Sequence, residues 1–219
     1  MKQFADLFVQ LDQTNKTNAK VALLRDYFAK APDRDKLWTI AFFSHKRPKR
    51  PVNSTLLKTW TMELAGLPEW LFKESYSFVG DLAETISLLL PPPTQTQDQP
   101  LAYWVDYLQG LSKLEEDEKK ERVLAAWQQM TQPEKFVFTK LMTSSFRIGI
   151  SQGLAIRALA EQAKLDKTIV AHRLMGDWNP NEVSFESLVL KESREDNLSR
   201  PYPFFLAHPI ETDEIQKEL

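Results

Sequence analysis

The chain has 219 residues, 42% of them hydrophobic and 26% charged, so it is long enough for a substantial core and too apolar for a disordered polymer. It contains no cysteine, which excludes a disulfide framework, a thiolate metal site and a cysteine nucleophile, and fits a reducing, cytoplasmic setting. The net charge of −2 is unevenly spread: residues 176–219 hold ten acidic and four basic residues, which leaves 1–175 at +4.

Met1 to Gln10 lacks the basic start and long apolar run of a signal peptide, and Ile86–Leu90 is far shorter than the ~18 apolar residues a membrane helix needs. Hydrophobic spacing is helical nearly throughout, and six glycines leave little material for hairpins, so the fold class is all-α. In chain order, Val21, Leu24 and Phe28 mark one buried helix face, Leu56, Trp60 and Leu64 a second, and Val79, Leu82, Ile86 and Leu89 a third. The run from Pro91, Pro92 and Pro93 to Pro100 cannot continue a helix and reads as a linker over 91–100. Beyond it, Leu114–Met130 places Glu115, Glu116 and Glu118 four residues before Lys119, Lys120 and Arg122, the pattern of a solvated helix face rather than a catalytic dyad. Ser54, Thr131, Ser151 and Asp166 each precede an apolar-periodic run and are candidate caps, and Pro133 suits a first helical turn.

A shift of 98 residues lays Leu56, Glu63, Ala65 and Leu67 on Leu154, Glu161, Ala163 and Leu165, and Lys49 on Arg147. This echo predicts two pseudo-symmetric multi-helix lobes, approximately 1–90 and 101–199. Two loops stand at equivalent places in it. Lys36 to Met62 holds six Lys or Arg and no acidic residue, and within it Lys46-Arg47-Pro48-Lys49-Arg50-Pro51 is held extended by its prolines. Such a patch suits a polyanion, and equally a solvated charged loop. The second loop, Ser144-Ser145-Phe146-Arg147-Ile148-Gly149-Ile150-Ser151-Gln152, combines a glycine that allows close approach, a helix start with free amides, and an arginine. That set suits a phosphate or the floor of a minor groove; its bland reading is an ordinary interhelical turn. His45, His172 and His208 lie far apart, without partners at metal-ligand spacing, and no phosphate-binding Gly-rich loop or nucleophile elbow is present.

The phrase Phe146-Arg147-Ile148-Gly149-Ile150-Ser151, followed by Leu154, Ile156, Ala158, Leu159 and Ala160, resembles a loop and helix of ATP-dependent DNA ligases. Arg200-Pro201-Tyr202-Pro203-Phe204-Phe205-Leu206-Ala207-His208-Pro209 is similar to the connector that leads, in bacterial members, to the nucleotidyltransferase domain, and Phe42, Phe43 and Ser44 are also family-like. The resemblance implies a helical DNA-binding domain over 1–199 with a connector at 200–219. It implies a grip on nicked duplex DNA across the minor groove, in replication, repair or recombination, with downstream nucleotidyltransferase and OB-fold domains as partners. The family's adenylated lysine lies in a Lys-x-Asp-Gly motif, and this chain has no Asp-Gly pair. No catalytic residue, metal ligand or cofactor is therefore expected in the chain itself, ATP and magnesium being needs of a full-length enzyme, and a monomer is expected. The candidate DNA contacts are Lys46, Arg47, Lys49, Arg50, Asn53, Ser54, Ser144, Ser145, Arg147, Gly149, Ser151, Gln152 and Arg157. Two rival readings stand beside this one: a helical protein-interaction module whose basic loops meet an acidic partner, and a helical DNA-repair enzyme such as a glycosylase, for which no catalytic Asp or Lys beside a hairpin glycine is found.

Overall fold

The computed structural model describes residues 1–44, 46, 48–143 and 150–191. Their regular secondary structure is helical, with no strand among them. The first half contains α1 (Lys2–Asp12), α2 (Thr17–Lys30), α3 (Asp33–Phe43), α4 (Ser54–Ala65), α5 (Glu69–Val79) and α6 (Leu82–Leu89). The second contains α7 (Leu101–Leu111), α8 (Glu116–Gln128), α9 (Gln132–Thr143), α10 (Gln152–Ala163) and α11 (Lys167–Met175), closed by a π-helical turn at Glu186–Leu190.

Val21, Leu24 and Phe28 are buried, as their spacing predicts. On α4 the inward face is Leu57, Trp60 and Thr61, while Leu56 and Leu64 are only half-buried. The stripe from Val79 to Leu89 is not one helix. Gly80 takes φ 79° and ends α5, and the Asp81 carboxylate accepts from the Glu84 N–H at 3.0 Å to start α6. Apolar spacing alone carries no record of such a break; the glycine and the short acidic side chain do. The charge ladder expected along α8 is also redirected: Lys120 pairs with Glu63 of α4, and the Glu118 carboxylate accepts from the Glu115 N–H at 3.3 Å.

The helix order repeats. Helices α7, α8 and α9 begin 99 residues after α1, α2 and α3, and α10 and α11 begin 98 residues after α4 and α5. Packing repeats with it, but across the halves. Helix α1 lies on α9 as α7 lies on α3, and α2 lies on α10 as α8 lies on α4. One core therefore draws on both halves, with Phe28 and Phe42 buried alongside Trp104, Trp127 and Phe138. Proline-rich residues 91–100 contain no helix and are tied to this body: Thr94 N–H donates to Gln128 O at 2.9 Å, and the Lys135 ammonium donates to Pro91 O. Lys135 is buried, and loss of hydration lowers its pKa.

Candidate nucleic-acid interface

The two helices that follow the candidate loops begin in the same way. Asn53, with φ −79° and ψ 159°, caps α4 by accepting from the Leu56 N–H at 2.9 Å, so Ser54 becomes the first helical residue rather than the cap. Ser151, with φ −81° and ψ 155°, caps α10 by accepting from the Leu154 N–H at 3.3 Å. Neither helix carries an acidic side chain in its first turn, so the positive end of each dipole is left uncompensated. Asn53, Ser54, Ser151 and Gln152 are all exposed, as a surface that receives an anion requires.

Within the first loop the cations have different fates. Lys46 is half-buried: its ammonium donates to Gly176 O and Trp178 O, each at 3.1 Å, lies 3.6 Å from Asp177, and covers the Trp178 ring at 4.7 Å. It fastens the loop to the segment after α11. Lys49 is exposed and makes no hydrogen bond or ion pair among the described residues. Val52 is buried and anchors the loop between them and α4.

Arg50 and Ser54 line a groove of about 330 Å³ with Lys58, Tyr76, Asp81 and Thr143. The Lys58 ammonium sits 4.9 Å above the Tyr76 ring, which orients the charge at little desolvation cost. Asp81 faces the same groove, but it caps α6 and pairs with Lys140, so its charge is largely balanced. Thr143 is the last residue of α9, from which the second candidate loop departs. The end of the first loop and the entrance to the second thus meet at one cationic groove. Sequence reasoning missed Lys58 and Tyr76; the acid-free stretch from Lys36 to Met62 was a signal for Lys58, whereas Tyr76 lies on another helix and had none.

The remaining candidates divide in two. Arg157 is half-exposed and bonded along its own helix to Glu161 at 3.0 Å. Arg47, Ser144, Ser145, Arg147 and Gly149 lie outside the described residues, as do His45, His208 and the connector at 200–219. Among the described residues no group of three or more His, Asp or Glu is placed to hold a metal ion, and no helix is long and apolar enough to cross a membrane.

A family model described as DNA ligase N terminus matches residues 1–160. The chain belongs to this family. The match begins with α1 and runs through both candidate loops into α10, covering both helix starts and all of the groove. Helix α11 and everything after it lie beyond the matched segment. No curated protein matches the chain. The DNA ligase assignment therefore rests on the family match, and the all-helical architecture agrees with the fold that the sequence resemblance implied.

Proposed function

We propose that the chain is the DNA-gripping domain of a bacterial-type ATP-dependent DNA ligase, holding nicked duplex while other domains of the enzyme join the strands. The observation that carries this reading is the convergence of Arg50, Ser54 and Lys58 with the end of α9 at one groove, beside an exposed and unpaired Lys49. Such a surface offers charge and helix-end amides to phosphates, with few groups suited to reading bases. The grip is therefore sequence-independent, and the second loop, with Arg147 and Gly149, enters the minor groove, whose edges carry a degenerate code. ATP and magnesium act in the nucleotidyltransferase and OB-fold partners, and this domain contributes by positioning. The setting is the cytoplasm, the domain is monomeric, and the strand joining serves replication, repair or recombination.

Titration of a labelled nicked duplex over a salt series tests the reading. Binding falls steeply with salt, with a slope of about −0.9 in log K against log salt for each phosphate neutralised. Lys49→Ala makes that slope shallower by about 1 without loss of fold. No binding at about 50 mM salt, where screening is weak, or an affinity independent of salt, overturns the reading.

A further inference from the structure

Three cations of the first half converge on one segment of the second. Lys46 donates to the carbonyls of Gly176 and Trp178, each at 3.1 Å, and its ammonium lies 4.7 Å from the Trp178 ring. Gly176 is the residue that ends α11, so this ammonium also stands at the negative end of that helix dipole. Arg34 of α3 donates to Asn181 Oδ1 at 3.0 Å, and the Lys36 ammonium lies 4.8 Å over the buried Phe185 ring. Residues 176–185 are thereby joined to α3 and to the loop that follows it, from outside the part of the chain that the family model matches.

Trp178 is the fixed point of the contact with the loop. Its indole is buried, and its Nε1–H donates to Leu174 O at 3.1 Å, so the ring is held against α11. A buried ring that faces an ammonium fixes where the charge sits. On the other side of the loop the anchor is Val52, also buried. Lys49 lies between these two anchors, exposed, with Pro48 and Pro51 restricting the backbone beside it. A cation on a chain pinned at both ends loses less conformational freedom on meeting a phosphate than one on an unpinned loop. One of the two pins is made by Trp178, which carries no charge and is too deeply buried to reach a phosphate itself.

We propose that Trp178 is a positioning residue for DNA binding: through Lys46 it sets the first basic loop so that Lys49 meets the phosphate backbone already placed. This role rests on the DNA-binding reading and gives the loop a partner 130 to 132 residues away in sequence. It assigns Lys46, a candidate contact by sequence, to holding the loop rather than to touching DNA. The grip of the first half on a duplex then depends on the end of the second.

Trp178→Leu removes the ring and keeps an apolar side chain in its place. Affinity of the folded variant for nicked duplex falls about three- to tenfold, the range of a coupled contact, and its salt slope becomes shallower by about 1, as for Lys49→Ala. Trp178→Phe keeps a ring under the ammonium and binds within about twofold of the unsubstituted chain. In a Lys49→Ala background Trp178→Leu costs no further affinity, because the contact it positions is already gone; a purely structural role would not produce that dependence. Lys46→Met keeps the stem and removes the ammonium, and it supplies a second cycle should Trp178→Leu not fold. Its loss also vanishes in the Lys49→Ala background, whereas losses that add assign Lys46 to DNA directly and overturn the proposal. A folded Trp178→Leu variant that binds as tightly as the unsubstituted chain, or that loses equally with and without Lys49, overturns it too and leaves the DNA-binding reading intact. An unsubstituted chain that binds no DNA overturns both readings.

Discussion

Gly153 sits at the second position of α10, where alanine is preferred by roughly 0.5–1 kcal/mol. Its backbone is not left-handed, and a Cβ built on it meets only the Ser151 hydroxyl, at 3.8 Å. Neither conformation nor internal packing requires a glycine there. A ligand that approaches the exposed amides would require one, since a side chain would stand between them and a phosphate. Gly153→Ala is accordingly expected to raise stability by about 0.5–1 kcal/mol and to weaken DNA binding. Thermal melts and duplex titrations of the same variant check the two halves together; a stabilised variant with unchanged affinity would remove α10's first turn from the interface. Lys46 and Lys49 make the complementary point about charge. They are three residues apart in one basic run, yet one is spent on two carbonyls and a tryptophan ring while the other is free.

At the scale of elements, helix starts are governed by whichever acceptor reaches the free amides. Helix α7 begins after Pro100, whose side chain cannot accept a hydrogen bond. Its first amides are instead taken by Asp35 of α3: Leu101 N–H donates to Oδ2 at 3.0 Å and Ala102 N–H to Oδ1 at 2.9 Å. Asp35 is buried, so its loss leaves two amides without water or a partner. Asp35→Ala should destabilise the protein by about 2–4 kcal/mol, the cost of two unmet buried donors. The midpoint of urea denaturation measures this, and a loss below about 1 kcal/mol, the level of an ordinary exposed cap, would show that the amides find another acceptor. DNA affinity of the folded variant should not change, because Asp35 is buried against the start of α7 and does not line the groove.

At the scale of the whole molecule, the repeat and the packing follow different lines. Helices α1 and α2 rest on α9 and α10, and α7 and α8 rest on α3 and α4, so neither half can bury its apolar faces alone. The proline-rich strap is also bonded to Gln128 and Lys135 rather than spanning open solvent. Unfolding should then be a single cooperative transition, with circular dichroism and tryptophan fluorescence reporting the same midpoint. Separately produced fragments 1–95 and 96–219 should show little helix until mixed. Independent cooperative melting of either fragment would contradict the shared core and favour autonomous lobes.

Much of this was written in local sequence. The helical class, the proline break at 91–100, the caps at Ser151 and Asp166 and the 98-residue echo depend on spacing and on residue types that act within a few positions of themselves. The helix starts that follow the two candidate loops were legible for the same reason, and so was the resemblance to DNA ligases, later matched by the family model over 1–160. The rest required distant chain segments to meet. Asp35 caps a helix 66 residues away, Lys46 reaches carbonyls 130 and 132 residues away, and Tyr76 joins Lys58 across two helices. Side-chain type announces that a lysine is charged, but its partner is fixed by which helices pack together. Packing across the halves, rather than within them, decided which cations were consumed by the fold and which were left facing outward.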